Sequence, residues 1–116
     1  MREKLYLITF GIKNSAQNTK FYSEIDNILE VMHQDIKPVR IDGTNKFIGQ
    51  CRFVVSKRHD AASITRILHA NIRKMYGTSG LEHFFITRIP KDYKVGDPDD
   101  TRRNKIVDIL KKYAID

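Results

Sequence analysis

The segment from Leu5 to Ile12 reads LYLITFGI. It is an almost continuous apolar and β-branched run of strand length, bounded by Lys4 and by the turn-prone Asn14-Ser15. Side chains alternate between the two faces of a strand, and here both faces are apolar. The stretch therefore predicts the central strand of a sheet.

The residues after this strand predict a helix and then a hairpin. Apolar residues at spacings of three and four define the helix, which Asn18 or Thr19 is placed to cap: Phe21, Ile25, Ile28, Leu29 and Met32. From Asp35 to Ser56 the helical period stops, and two strands are expected around a turn at Asp42-Gly43-Thr44-Asn45. Pro38 lacks a backbone donor, which places the first of these strands at an edge and residues 50 to 56 inside the sheet.

The second half of the chain predicts a helix, a strand and a last helix. Asp60 is placed to cap the first of these helices, and Gly77 to end it. The run from Leu81 to Ile89 is strand-like. The last helix is expected to have Asp97 as its cap and Pro98 in its first turn. Its apolar stripe is Ile106, Ile109, Leu110 and Tyr113.

The resulting order is strand, helix, strand, strand, helix, strand, helix. It predicts an α+β protein of the ferredoxin-like plan: a βαββαβ antiparallel sheet with two helices on one face, plus an extra C-terminal helix. We expect residues 1–96 to form this domain. Residues 97–116 are expected to form an amphipathic helix that packs on the domain or on a partner.

The sheet face that the two main helices leave uncovered is the expected functional surface. If those helices cover the side of Leu5 and Leu7, then Tyr6, Ile8 and Phe10 form an apolar patch larger than a monomer normally exposes. Three covers are open at this point: nucleotide bases stacking on the aromatic rings, a second subunit, or the protein's own last helix.

Composition bounds the class of protein. The 116 residues suit one domain and exclude a multidomain enzyme, and the formal charge of +7 favours an anionic partner, nucleic acid first. The single cysteine cannot form an internal disulfide, and the N-terminal apolar run is too short for a signal peptide or a membrane span. We expect a cytoplasmic protein with no membrane partner.

The positive charges form two candidate phosphate-binding clusters. The first is expected as a strip along the second helix, and the second opens the last helix; Arg40 and Arg52 add charge across the sheet. The first cluster contains Lys57, Arg58, Arg66, Arg73 and Lys74, and the second contains Arg102, Arg103 and Lys105. Phosphate contacts require only positively charged side chains that reach the phosphates, whereas stacking on bases requires aromatic rings.

Two stretches resemble the RNA recognition motif, which has this strand and helix order. LYLITF at 5 to 10 is similar to its first-strand signature, and GQCRFVVS at 49 to 56, followed by DAASITRIL, is similar to its third strand and second helix. The resemblance implies that Tyr6 and Phe53 stack bases. Cys51 stands where a third aromatic residue is expected.

The layout is also similar to the small CRISPR-associated adaptation nucleases and their SinR-like relatives, which are ferredoxin-like dimers. That family usually carries an acidic metal ligand at the end of its first strand. Here the chain reads Phe10-Gly11-Ile12-Lys13, without the acidic residue. The resemblance therefore implies a homodimer more than a metal nuclease.

No catalytic or cofactor signature accompanies these features. The four histidines lack metal-ligand spacing, Cys51 has no cysteine partner, and Gly77-Thr78-Ser79-Gly80 is not a phosphate loop. The first hypothesis is a small non-catalytic protein that binds RNA or DNA without cofactor or metal. The second is a homo-oligomeric accessory protein, of the size found in phages and mobile elements, that binds itself or a host protein. The third is a divergent metal-dependent nuclease using Asp42, Asp35 or His59.

Overall fold

The central strand predicted from LYLITFGI lies in the middle of a four-stranded sheet. The structure is a computed structural model that describes residues 2–12, 18–31, 36–39, 51–76 and 81–113. The elements in chain order are β1 (Lys4–Ile12), α1 (Asn18–Val31), β2 (Lys37–Val39), β3 (Cys51–Ser56), α2 (Ala61–Tyr76), β4 (Leu81–Arg88) and α3 (Asp100–Tyr113). The sheet is antiparallel with the order β2-β3-β1-β4. The α+β class and the predicted sequence of elements are confirmed.

Strands β2 and β3 pair as the sequence predicts. Pro38 lies opposite Val54, β2 is an edge strand, and β3 lies between β2 and β1. The missing backbone donor of Pro38 is tolerated at an edge, whereas in a central strand it would remove a ladder hydrogen bond. The turn predicted at Asp42-Gly43-Thr44-Asn45 lies outside the described residues, as do Met32 and Gly77.

The two main helices cover the sheet face that carries Tyr6, Ile8 and Phe10. Tyr6, Ile8 and Phe10 are buried in a core with residues of α1 and α2, among them Ile28 and Leu68. The condition under which Tyr6, Ile8 and Phe10 would form an exposed patch, with the helices over Leu5 and Leu7, is therefore not met. The alternation of side chains along a strand determines which residues share a face. When both faces are apolar, it does not determine which of the two faces the helices cover.

The second sheet face is closed by the protein's own last helix. Ile106 and Leu110 of α3 are buried against Leu5, Phe53 and Val55 of the sheet. Three covers were possible: nucleotide bases, a second subunit or the protein's own last helix. In the structure, the last helix covers this part of the sheet. The molecule thus has three layers: α1 and α2, the sheet, and α3.

Local hydrogen bonds set the beginnings of α2 and α3. The amide of Ser63 donates to Asp60 Oδ1 at 2.9 Å, which confirms Asp60 as the cap of α2. In α3 the amide of Arg102 donates to Asp99 Oδ1 at 3.0 Å, so the cap is Asp99 and the helix starts at Asp100. The expected cap at Asp97 is therefore wrong by two residues; Asp97 instead accepts the amide of Asp99 at 2.9 Å in a turn that leads into the helix.

Arg52 carries a buried charge beneath α1. Its side chain is 4% exposed, and its Nε donates to Asp26 Oδ1 at 2.7 Å. Arg52 also donates from Nη1 to the carbonyl oxygen of Cys51 at 2.8 Å. The expectation that Arg52 adds charge across the sheet surface is wrong, because the guanidinium joins β3 to α1 inside the molecule.

Within the described ranges, no helix has the length and apolar character needed to cross a membrane.

The Arg52–Asp26 pair provides a stability prediction. Replacing Asp26 by Ala leaves the Arg52 charge buried without its carboxylate, and we expect the free energy of unfolding to fall by about 3 kcal/mol. The double variant Asp26→Leu with Arg52→Met removes both charges, and we expect a clearly smaller loss in its free energy of unfolding. Urea unfolding followed by circular dichroism measures both values. A single variant no less stable than the double variant would contradict this account.

Candidate nucleic-acid interface

The two aromatic residues expected to stack bases are both inside the molecule. Tyr6 is 2% exposed beneath α1 and α2, and burial raises the pKa of its hydroxyl, an effect that the Arg88 guanidinium partly offsets. The Arg88 guanidinium carbon lies 5.6 Å from the centre of the Tyr6 ring. The ring is thus already covered by protein. Base stacking on Tyr6 is not compatible with this arrangement.

Phe53 lies on the other face of the sheet, where α3 covers it. It is 5% exposed beneath α3. It forms part of the wall of a groove of about 520 Å³ beside α3, together with Leu7 and Cys51. The groove does not expose the face of the ring as an RNA-recognition-motif platform would need. The two stacking residues, carried over from the resemblance, therefore lie on opposite sides of the sheet and share no surface.

The first basic cluster is on the surface. Lys57 and Arg58 occupy the turn between β3 and α2, where Ser56 Oγ accepts the amide of His59 at 3.0 Å, and both side chains are exposed. Arg66 and Arg73 are exposed on α2, two turns apart and therefore about 10 Å apart along the helix axis. We call Lys57, Arg58, Arg66, Arg73 and Lys74 the α2 strip.

The charge of the α2 strip is not balanced along its own helix. The sequence of α2, AASITRILHANIRKMY, contains no aspartate or glutamate. Its buried side carries Ile64, Leu68 and Ile72, which pack on the sheet and direct the cations outward. The nearest acidic residue along the chain is Asp60, whose carboxylate is occupied as the helix cap. Helix α2 therefore carries a positive charge of its own, and Asp60 at its start interacts with Arg66.

The second basic cluster differs in kind, because its arginines are paired with carboxylates. Arg102 donates from Nη2 to Asp97 Oδ1 at 2.8 Å, and its Nε contacts the second oxygen of the same carboxylate. Arg103 donates to Asp100 Oδ1 at 2.6 Å and to the carbonyl oxygen of Asp97 at 2.9 Å. The structure therefore places Arg102 and Arg103 in a network that holds the start of α3. Lys105 is exposed on the same helix.

A third group of cations joins Arg103 of the second cluster to three lysines that the sequence analysis did not select. Lys91, Lys94, Arg103 and Lys111 line a cavity of about 530 Å³ between α3 and the segment that follows β4. Two of them flank Tyr93 in the irregular stretch KDYKV, and an aromatic residue between lysines was the signal that could have identified this segment. Lys111 lies in the last turn of α3, where a cation also interacts favourably with the helix dipole.

The residues of the nuclease hypothesis do not form a described site. Asp35 and Asp42 lie outside the described residues, and His59 is half-buried beside the cap of α2. In the ranges that the structure describes, no three histidine, cysteine, aspartate or glutamate side chains come together to hold a metal ion.

The comparisons with known proteins add no family. No protein-family model matches this chain, and no curated protein matches it. The candidate interface therefore depends on its own geometry and charge.

The Asp97–Arg102 contact predicts how stability depends on pH. The hydrogen bond from Arg102 lowers the pKa of Asp97 below its ordinary value. A carboxylate with a lowered pKa in the folded state stabilises the fold above its unfolded pKa of about 4, and this contribution is lost as the pH falls through the folded pKa. We expect Asp97→Asn to lower the free energy of unfolding near neutral pH, and the difference from wild type to shrink in acid. Urea unfolding at several pH values measures this difference.

Asp92→Asn is the matched control, since it removes the same charge from an exposed carboxylate of the same loop. Equal pH profiles for the Asp97 and Asp92 variants would show that the Arg102 contact does not stabilise the fold.

Proposed function

We propose that this protein is a non-catalytic nucleic-acid-binding protein that contacts phosphates through the α2 strip. The observation that carries the proposal is a surface helix with three cations, Arg66, Arg73 and Lys74, and no acidic residue between Ala61 and Tyr76. The formal charge of +7 makes the whole chain attractive to a polyanion. A helix whose own charged residues are all cations suits the phosphate backbone of a nucleic acid.

The fold we propose for this binding is ferredoxin-like. The order β2-β3-β1-β4, with all neighbouring strands antiparallel and α1 and α2 packed on one face, supports this assignment. On such a fold, the open sheet face would normally receive the bases of a single strand. Here α3 covers that region, so we place the nucleic acid along α2 and outside the sheet.

This location determines the kind of recognition. With Tyr6 and Phe53 buried, the strip offers charge without a stacking platform. Phosphate contacts position a protein on nucleic acid without reading its sequence. We therefore expect weak sequence preference, binding to both RNA and DNA, and a strong dependence on salt. Arg102 and Arg103 are left out of the contact set because Asp97 and Asp100 already hold them.

A second candidate function, self-association, is favoured by strand β4. This eight-residue strand is at the edge of the sheet, and Phe85 on it is 64% exposed. An edge strand presents unpaired backbone groups to a second chain, and an exposed apolar side chain beside them adds area to bury. Two copies related by a two-fold axis would pair β4 with β4 and extend the sheet across the dimer.

The binding proposal is tested by fluorescence anisotropy with labelled RNA and DNA over a salt series. For the wild type, the logarithm of affinity should fall linearly with the logarithm of salt concentration. Arg66→Gln with Arg73→Gln removes two phosphate contacts, so the slope on duplex DNA should become shallower by about 2. The control Lys105→Gln with Lys112→Gln removes the same charge from exposed positions of α3. No salt-dependent binding by the wild type, or equal losses in both double variants, would overturn the proposal.

The self-association candidate is tested by sedimentation velocity over a wide range of protein concentration. We expect the wild type to form a dimer, and Phe85→Ser to shift the equilibrium toward monomer by removing the exposed ring from the edge. Val31→Ser is the matched control, because Val31 is 63% exposed but lies on α1, away from β4. A wild type that sediments as a monomer at every concentration would contradict this candidate.

A further inference from the structure

The cavity beside α3 combines an apolar floor with a cationic rim. Tyr93, Val95 and Val107 are half-buried and line it, and the first two also pack against the core cluster beneath α3. The exposed lysines Lys91, Lys94 and Lys111 and the partly exposed Arg103 line it as well. No carboxylate side chain is among the described residues that line this space. An anion entering it would therefore meet positive groups and an apolar surface at once.

Secondary structure explains why these groups converge. Arg103, Val107 and Lys111 are spaced by four residues along α3, which places them on one side of the helix. The neighbouring positions Ile106 and Leu110 face the sheet and anchor the helix. Arg103 donates to Asp100 and to the carbonyl oxygen of Asp97, so it borders the cavity as a cation that is already paired. The lysines of the cavity are therefore the groups that we expect to meet an anion.

We propose that this cavity is a binding site for a nucleotide, with the phosphate groups on Lys94 and Lys111 and the ring system against Tyr93. The volume of about 530 Å³ is within the range of sites that hold small organic ligands. The apolar floor is the reason for a nucleotide in place of inorganic phosphate, since an aromatic side chain stacks on a base. None of the α2 strip residues lines this cavity, so the proposal goes beyond the proposed function and does not depend on it.

The test is isothermal titration calorimetry of the full chain with three probes: adenosine triphosphate, inorganic tripolyphosphate and adenosine. We expect adenosine triphosphate to bind most tightly, tripolyphosphate more weakly, and adenosine not measurably. Lys94→Gln with Lys111→Gln should lower the affinity for adenosine triphosphate by about tenfold for each lysine, because each substitution removes a charged hydrogen bond. Tyr93→Leu, which keeps an apolar side chain, should bring adenosine triphosphate close to the affinity of tripolyphosphate.

A control variant separates this site from positive charge elsewhere on α3. Lys105→Gln with Lys112→Gln removes the same charge from α3 outside the cavity and should leave affinity for adenosine triphosphate unchanged. No saturable binding of adenosine triphosphate near physiological salt would overturn the proposal. So would an equal loss in the cavity variant and in the α3 control.

The same chemistry has two sources, a free nucleotide or the terminal nucleotide of a strand. Competition against bound adenosine triphosphate with one oligonucleotide, carrying either a 5′-phosphate or a 5′-hydroxyl, distinguishes them. Selective displacement by the 5′-phosphorylated strand would assign the cavity to a strand end. Failure of both strands to compete would assign it to free nucleotides. In either result, the Lys94 and Lys111 variant must lose adenosine triphosphate binding for the site to stand.

Discussion

Strand β1 is buried on both faces, and all three helices are placed so that they cover it or its neighbouring strands. A strand with Leu5 on one side and Tyr6, Ile8 and Phe10 on the other exposes apolar area to water wherever it is left bare. Helices α1 and α2 remove one side from water, and α3 removes the other. Each Å² of apolar surface removed from water contributes about 25 cal/mol, so burial of Ile106 and Leu110 against the sheet favours the docked position of α3. The last helix is therefore part of the core.

That same packing decides which charges remain available to a ligand. Arg52 points toward α1 and is neutralised by Asp26, whereas Arg66 and Arg73 point away from the sheet on a helix that has no acidic residue. The start of α3 shows the opposite arrangement, because Asp97 and Asp100 serve the helix terminus and bind Arg102 and Arg103 at the same time. Cations of equal formal charge thus differ in their capacity to bind phosphate, and the difference lies in their neighbours.

Much of the fold could be predicted from local pattern, and much of the site could not. Periodicity and caps such as Asp60 depend on residues close in sequence, so the elements, the edge position of Pro38 and the start of α2 followed from the sequence. The face covered by the helices depends on the phase of the pleat, which alternation does not encode when both sides are apolar. The Asp26 partner of Arg52 is 26 residues away, and no local signal marks it. The cavity around Tyr93 required the packing of α3, which brings Lys111 to a loop that starts 20 residues earlier at Lys91.

The two margins of the sheet are unequal, and this has a consequence for assembly. On one margin β2 carries Pro38, a residue without an amide proton to share, while on the other β4 runs for eight residues. If two copies pair through β4, that edge is occupied in both of them. The other edge, β2, is a poor acceptor for a further strand because Pro38 has no amide hydrogen to donate. Growth into a filament requires both margins to accept a strand. A sheet built in this way is biased toward closed, finite particles.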